Sequence, residues 1–326
     1  MRALVFHGPN DIRVEQLPDP EPGPGEVLVR VAATGICGSD LHGYTGENGR
    51  RHPGQVMGHE TVGRIEGSGA LVTVNPVIGC GICAQCAAGT EQLCAGRRII
   101  GVDPTYRSAF AELMAVPAGN VVVLPVDTPI EYGALVEPLS VGYHAAVRGG
   151  VSPDDRVLVI GGGPIGQACA LAARRLGAAV VVVSEPTASR RALVSRLGFE
   201  AVEPADLADL GDMATVVLDA VGSSASLAAA FAGSALGARV VLVGMNAPEV
   251  SVAAYAVSTY ERSVIGSFCY PAREFRETAA WVATRPPGLE HLVDGRAGLG
   301  GAPDAFAGLA SGALDASKIL VYCGEA

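Results

Sequence analysis

Residues 157–166 read VLVIGGGPIG, an apolar strand that runs directly into a glycine-rich turn. A helix-like stretch follows over 167–176. Glycines in such a turn permit a tight bend and let the backbone approach a pyrophosphate at the positive end of the helix. The sequence therefore predicts a dinucleotide site, and its candidate residues are Gly161, Gly163, Pro164, Ile165 and Gly166.

A second apolar strand ends at Ser184 and Glu185, about twenty residues beyond the turn, where an acidic residue binds the ribose in such folds. A carboxylate accepts hydrogen bonds from the ribose hydroxyls of NAD and repels the 2′-phosphate of NADP. Glu185 therefore favours NAD. A competing interpretation assigns Arg190 and Arg191 to a 2′-phosphate, so both residues stay candidates.

The pattern of residue types changes twice along the chain. Short β-rich runs separated by Gly and Pro clusters precede residue 142, and apolar strands alternate with Ala-rich helical segments from there to about 269. Continuous apolar strands of this kind are typical of a parallel sheet with helices on both faces. We predict an α/β protein with a β-rich domain from residues 1–141 and 270–326, and a doubly wound domain from 142–269.

Composition limits the classes of function. The 326 residues carry a formal net charge of −10 and are 49% hydrophobic, which argues against nucleic acid as a partner. Apolar runs are too short to span a membrane, and the N-terminus does not read as a signal peptide, so we expect a cytoplasmic protein. Lys318 is the only lysine, which argues against Schiff-base chemistry.

The eight cysteines are better explained as metal ligands or free thiols than as disulfides in a reducing compartment. Half of them follow a close spacing in a Gly-rich loop, namely Cys80, Cys83, Cys86 and Cys94. Four thiolates with no open position suit a structural zinc ion. An iron–sulfur cluster or a redox cluster remains the alternative at this point.

A second candidate site is dispersed along the chain, and its members are Cys37, His59, Glu60 and Glu137. Taken singly, a cysteine or histidine of this kind more often belongs to a core. Together, a thiolate, an imidazole and a carboxylate that leave one position open form a typical catalytic zinc site, because a substrate oxygen needs the fourth position.

Six motifs occur in a fixed order: GICGSDLH (35–42), GHE (58–60), the four-cysteine loop, SAFAELMAVPAGN (108–120), EPLSVGYHA (137–145) and the glycine turn. In these motifs the chain resembles the zinc-containing medium-chain alcohol dehydrogenases, in particular the sorbitol and polyol dehydrogenases and threonine 3-dehydrogenase. The resemblance covers essentially the whole chain. It implies a GroES-like catalytic domain with a structural zinc lobe, and a Rossmann NAD-binding domain, with the active site in the cleft.

The resemblance also assigns roles to single residues. Cys37, His59 and Glu60 would bind the catalytic zinc, with Glu137 binding through water or exchanging with Glu60. Asp40 would accept the outer N–H of His59. Ser39 and His42 would relay the substrate proton to solvent, although His42 also fits a merely local structural role.

The implied activity is hydride transfer from a secondary alcohol (a polyol, sugar alcohol or cyclitol-like compound) to NAD, with two zinc ions per chain. We also expect a homo-oligomer, either a dimer or a tetramer. The alternative function is a zinc-stabilised NAD-binding protein without turnover. A nucleic-acid-binding zinc module is disfavoured by the acidic charge.

The sequence departs from the family pattern at the substrate position. Sorbitol-type enzymes carry an arginine that contacts polyol hydroxyls where this chain has Cys269. Threonine dehydrogenases carry a histidine where this chain reads Asn75-Pro76. The sequence therefore does not identify the alcohol.

Overall fold

The computed structural model describes residues 1–47, 49–208 and 214–324, and the remaining residues of the predicted domains lie outside that description. The chain divides into unit 1, Met1–Glu137 with Tyr270–Ala326, and unit 2, Pro138–Cys269. Unit 2 begins inside a helix, four residues before the predicted boundary at 142. The division therefore falls within one helix, and no loop in the sequence marks it.

The first part of the chain forms most of the strands of unit 1 and ends in α3, the helix that continues into unit 2. These elements are β1 (Arg2–Gly8), β2 (Asp11–Gln16), β3 (Glu26–Gly35), α1 (Gly38–Thr45), β4 (Gln55–Val56), β5 (Glu60–Ile65), β6 (Leu71–Val74), β7 (Val77–Ile78), α2 (Ala84–Ala87), β8 (Arg98–Ile99), β9 (Leu113–Pro117), β10 (Val121–Val123) and α3 (Ile130–Arg148).

Strands and helices then alternate through unit 2. They are β11 (Arg156–Ile160), α4 (Pro164–Arg175), β12 (Val180–Ser184), α5 (Ala188–Arg196), β13 (Glu200–Val202), β14 (Ala214–Asp219), α6 (Ser224–Ala232), β15 (Ser234–Leu242), α7 (Ala254–Ser258) and β16 (Ser263–Gly266). The chain returns to unit 1 with α8 (Ala272–Ala283), β17 (Gly295–Gly298), α9 (Ala302–Ser311) and β18 (Ile319–Tyr322).

Strand β3 organises the main sheet of unit 1, which has the order β10-β6-β5-β3-β18-β17, with β9 also paired to β3. Val29, Val31 and Ala33 alternate along β3 and are fully buried, as a strand with one face on the core requires. Phe110 and Phe306 pack edge to face in the same core. The pairing of β3 with both β5 and β18 brings distant parts of the chain together at one end of this strand.

The sheet of unit 2 is parallel in the order β13-β12-β11-β14-β15-β16. This is the strand order of the doubly wound dinucleotide-binding fold, with β11 in the middle. Its strands are short and rich in Val, and their central residues are buried. The predicted α/β fold class is confirmed.

The glycine turn after β11 has the tight geometry that its sequence predicts. Gly161 has φ +95°, a conformation that side-chain-bearing residues rarely adopt. A Cβ on Gly166 would lie 1.8 Å from the carbonyl oxygen of Gly161, so only glycine lets α4 pack this closely against the turn. Gln167 closes the turn by donating from Nε2 to the carbonyl of Gly162 at 2.7 Å.

Over the described residues, no helix has both the length and the apolar character needed to cross a bilayer.

Candidate active site

The register between β3 and β5 builds the candidate catalytic site. Gly35 at the end of β3 pairs with Glu60 at the start of β5, so the residues that flank this pair, Cys37 and His59, come close to each other. One ligand atom from each of Cys37, His59 and Glu60 lies within 4.8 Å of the others. The structure thus assembles these predicted ligands entirely within unit 1.

Gly35 makes room for the carboxylate of Glu60. A Cβ at position 35 would lie 1.9 Å from Glu60 Oε2 and 3.0 Å from its carboxyl carbon. Any larger residue would displace this side chain, so glycine is required at the end of β3.

Lys318 belongs to the site and was not anticipated from the sequence. Its Nζ donates to both oxygens of Glu60, at 2.6 and 2.7 Å, and to the carbonyl of Ile36 at 3.1 Å. The side chain is 3% exposed. Burial lowers the pKa of Lys318, but the Glu60 carboxylate outweighs that effect and the net shift is upward. The only signal in the sequence was that this chain keeps a single lysine.

Asp40 connects two of the candidate ligands. Cys37 caps the start of α1, and its backbone N–H donates to Asp40 Oδ2 at 3.2 Å. Asp40 Oδ1 lies 3.6 Å from His59 Nδ1, which is just beyond hydrogen-bond length. The imidazole therefore turns Nδ1 toward Asp40 and leaves Nε2 for a metal ion. Burial lowers the pKa of His59, but Asp40 and Cys37 act oppositely and leave it well above its ordinary value.

Glu137 lies on α3 and is hydrogen bonded to Tyr270 rather than gathered with the other ligands. The Tyr270 hydroxyl donates to Glu137 Oε1 at 2.8 Å, and both side chains are buried. Burial raises the pKa of Glu137 to about 7, although nearby His59 acts in the opposite direction. Over the described residues, Glu137 is not part of the group of ligand atoms that lie within 4.8 Å of one another. Tyr270 is a second site residue that the sequence did not indicate.

The two candidate relay residues lie on α1, one turn apart. Ser39 and His42 are three positions apart, a spacing that puts both side chains on one face of the helix. His42 Nδ1 is 2.7 Å from Glu47 Oε2, and both side chains are partly exposed. A path from Ser39 to solvent through His42 is compatible with this placement.

The donor set of the site fits a catalytic zinc ion. A thiolate, an imidazole nitrogen and a carboxylate are the ligand types that zinc takes, and three of them leave the fourth position open. The burial of Glu60 and His59 also excludes water from the ligands.

The four-cysteine loop fits a tetrahedral zinc ion as well. Zn–S bonds of about 2.3 Å place tetrahedral sulfurs about 3.8 Å apart. The Sγ atoms of Cys80 and Cys86 are 4.0 Å apart, and those of Cys83 and Cys86 are 3.6 Å apart. All four ligand sulfurs, including that of the buried Cys94, lie within 4.8 Å of one another. Hydrogen bonds from the backbone of Ile82 and Cys83 lower the pKa of Cys80 to about 6, which favours its thiolate.

The predicted ribose-binding residue Glu185 is 3% exposed at the end of β12. Its Oε2 accepts from the N–H of Gly162 at 2.7 Å and its Oε1 from that of Thr187 at 2.8 Å, which fixes the carboxylate beside the glycine turn. Arg191 donates to the carbonyls of Glu185 and Pro186 and pairs with Glu203.

Arg190 is exposed on α5. Arg191, in contrast, is held by its bonds to the carbonyls of Glu185 and Pro186 and by its ion pair with Glu203. The two arginines of the competing interpretation therefore differ in their surroundings.

Comparison with known proteins identifies the family. The family model "Alcohol dehydrogenase GroES-like domain" matches residues 23–126, and the model "Zinc-binding dehydrogenase" matches residues 164–284. The sorbitol dehydrogenase of Macaca fascicularis is 33% identical over 346 aligned positions, which cover 98% of this chain and 95% of that protein. The chain belongs to the zinc-containing medium-chain alcohol dehydrogenases, in the sorbitol dehydrogenase branch.

Solved structures agree with this assignment. A Sinorhizobium meliloti protein named as a zinc-binding dehydrogenase and bound to NADP is 30% identical, with a TM-score of 0.89 over 98% of each chain. Galactitol-1-phosphate dehydrogenase of Escherichia coli is 26% identical, with a TM-score of 0.90 over 99% of this chain and 100% of that one. The dehydrogenase described here is therefore an oxidoreductase of small-molecule alcohols that uses zinc and a nicotinamide dinucleotide. The predicted family and enzyme class are confirmed.

Proposed function

We propose that this dehydrogenase oxidises a secondary alcohol of the polyol, sugar-alcohol or cyclitol type, with NAD as the hydride acceptor and two zinc ions per chain. The observation that carries the proposal is the convergence of Cys37, His59 and Glu60 within 4.8 Å of one another. The names of the sorbitol and galactitol-1-phosphate dehydrogenases among its relatives support a substrate with several hydroxyl groups.

The candidate ligands have different roles in this reaction. Cys37, His59 and Glu60 would hold the catalytic zinc, and Glu137 would bind it through water or by exchange with Glu60. When bound, zinc supplies Lewis acidity to the substrate oxygen and so favours loss of the hydroxyl proton. Cys80, Cys83, Cys86 and Cys94 would hold the second, structural ion.

The hydroxyl proton leaves through the chain's own side chains. Ser39 Oγ would accept it on the substrate side, and His42 would pass it to solvent. His42 Nδ1 already faces Glu47 at 2.7 Å, so Nε2 is the atom through which the proton arrives. The overall reaction converts the alcohol to a carbonyl compound and releases NADH and this proton.

Glu185 supports the choice of NAD. Its buried carboxylate is held by two backbone N–H groups, and each oxygen keeps a lone pair for a ribose hydroxyl. A 2′-phosphate at this place would meet a negative charge. A relative with the same fold is bound to NADP, and we propose that the charge of Glu185 is what favours NAD in this chain.

Replacing Glu185 with alanine is expected to lower kcat/KM for NAD and raise it for NADP, because the ribose acceptor and the repelling charge are both lost. The measurement is the ratio of the two kcat/KM values. Glu185→Gln is the matched control, since it removes the charge and keeps an acceptor oxygen. A wild-type enzyme that already prefers NADP would show that Glu185 does not set the choice.

Replacing Cys269 with arginine is expected to improve oxidation of sorbitol or xylitol. The family resemblance puts the arginine that contacts polyol hydroxyls in sorbitol-type enzymes at the position of Cys269, directly before Tyr270. An arginine supplies a fork of donors that a thiol lacks, worth about 1 to 3 kcal/mol in transition-state binding. Steady-state kinetics on a polyol series measures the gain, with Cys269→Met as the control for added length without charge. Efficient sorbitol oxidation by the wild type would place polyol recognition elsewhere.

The proposal as a whole is tested by NADH formation with purified enzyme on a panel of polyols, cyclitols and simple diols, with NAD and with NADP. We expect turnover of at least one secondary alcohol, and zinc analysis that finds two ions per chain. Zinc and NAD binding without turnover on any alcohol would favour a non-catalytic NAD-binding protein. A cytoplasmic location and a homo-oligomer, a dimer or tetramer, complete the proposal, and size-exclusion chromatography tests the assembly.

A further inference from the structure

A buried arginine lies behind the candidate catalytic site. The Arg51 side chain is 2% exposed, and its Nη2 lies 3.4 Å from the carbonyl oxygen of Ser39 and 3.6 Å from Asp40 Oδ1. The Asp40 side chain is fully buried. A guanidinium in the protein interior needs a compensating negative charge, and Asp40 supplies it.

The fold makes room for this arginine at Gly43. A Cβ on Gly43 would lie 2.6 Å from Arg51 Cγ and 2.9 Å from Arg51 Nε. The stem of Arg51 therefore runs directly across α1 at Gly43, and a larger residue in that position would push the guanidinium away from Asp40.

Three buried polar atoms without a hydrogen-bond partner among the described residues meet at this place: Asp40 Oδ1, Arg51 Nε and His59 Nδ1. Asp40 Oδ1 lies 3.6 Å from both Arg51 Nη2 and His59 Nδ1. Buried unpaired groups are costly, so a small shift that closes these gaps is favourable. The other oxygen of Asp40 already accepts the N–H of Cys37. One carboxylate thus contacts two candidate zinc ligands and one arginine.

We infer that Arg51 is a positioning residue for the catalytic metal: its guanidinium holds Asp40 against His59 and Cys37, so that His59 Nε2 and Cys37 Sγ face the ion. This inference rests on the proposed zinc site. It adds a residue outside the six family motifs to the metal-binding machinery. Partners that orient metal ligands in this way typically change metal affinity by about 10- to 100-fold.

The test measures zinc release from the full-length zinc-loaded enzyme into a chromogenic chelator, together with zinc content and thermal stability. The variants are Arg51→Met, which removes the charge, and Arg51→Lys, which restores it without the planar fork. Gly43→Ala displaces Arg51 without changing it. Arg64→Met is the matched control, because Arg64 is an exposed arginine that bonds the carbonyl of Gly69 in the same unit.

We expect Arg51→Met and Gly43→Ala to lose one zinc per chain about 10 to 100 times faster than the wild type, with partial recovery in Arg51→Lys. Cobalt substituted at this site should show an altered visible spectrum in Arg51→Met, which a purely structural role would not produce. Arg64→Met should behave as the wild type. If Arg51→Met does not fold, Gly43→Ala and Arg51→Lys decide the question.

Lower thermal stability with unchanged zinc release and an unchanged cobalt spectrum would overturn the inference while leaving the proposed function intact. A wild-type enzyme that binds no zinc through Cys37 would overturn both, and the metal content of the wild type separates these two results.

Discussion

Replacing Cys37 with serine is expected to abolish dehydrogenase activity and to remove one zinc ion per chain. A neutral hydroxyl is a poor substitute for a thiolate ligand. The variant would keep only two of the three candidate protein ligands, His59 and Glu60, whereas a catalytic zinc site uses three. Removing a residue that only orients a metal ligand typically lowers metal affinity or activity by about 10- to 100-fold. Loss of a ligand itself should therefore lower kcat/KM by more than about a hundredfold. Metal analysis and steady-state kinetics on the same preparation measure both effects.

Cys323→Ala is the matched control for this variant. Cys323 is a buried thiol in unit 1, and it belongs to neither group of candidate metal ligands among the described residues. It should keep both zinc ions and the activity. A Cys37→Ser enzyme that retains full activity and two zinc ions would exclude Cys37 as a ligand.

Replacing Lys318 with methionine is expected to destabilise the metal-free protein strongly. The Glu60 carboxylate is 1% exposed, and Lys318 donates to both of its oxygens, so the variant leaves a buried charge without its partner. Removing one member of a buried ion pair typically costs about 3 to 5 kcal/mol in the free energy of unfolding. Urea or thermal unfolding of the metal-free protein measures this loss.

The zinc-loaded variant should lose less stability, because a bound cation compensates the same carboxylate. Lys318→Arg keeps the positive charge and should recover part of the loss. Arg30→Met removes a partner of the exposed pair Arg30–Glu66 and should change stability by about 1 kcal/mol or less. Equal losses for Lys318→Met and Arg30→Met would show that the buried pair contributes no more than a surface pair.

Residues close together in the sequence made the dinucleotide fold and the zinc lobe predictable. The glycines of the turn at 161–166 act on a strand and a helix that are their direct neighbours, so the local sequence implies the local geometry. The cysteines at 80–94 likewise lie in a single loop, and their spacing alone brings the sulfurs within reach of one ion.

The predicted start of the second domain at 142 differs from the division at Pro138, because that division falls inside α3 and no loop in the sequence marks it. The side-chain chemistry of Glu137 was visible in the sequence, but its hydrogen bond to Tyr270 was not. These two residues are 133 positions apart, and no local motif relates them.

The sequence by itself determined which donor types this protein has: a thiolate, an imidazole and a carboxylate at one candidate zinc site, and four thiolates at another. Only the tertiary structure decided which charges surround them. Lys318 reaches Glu60 across 258 positions because β18 and β5 both pair with β3 at Gly35. Arg51 reaches Asp40 because Gly43 leaves space on α1. Such contacts depend on strand register and on packing between distant segments, and a local sequence pattern predicts neither of them.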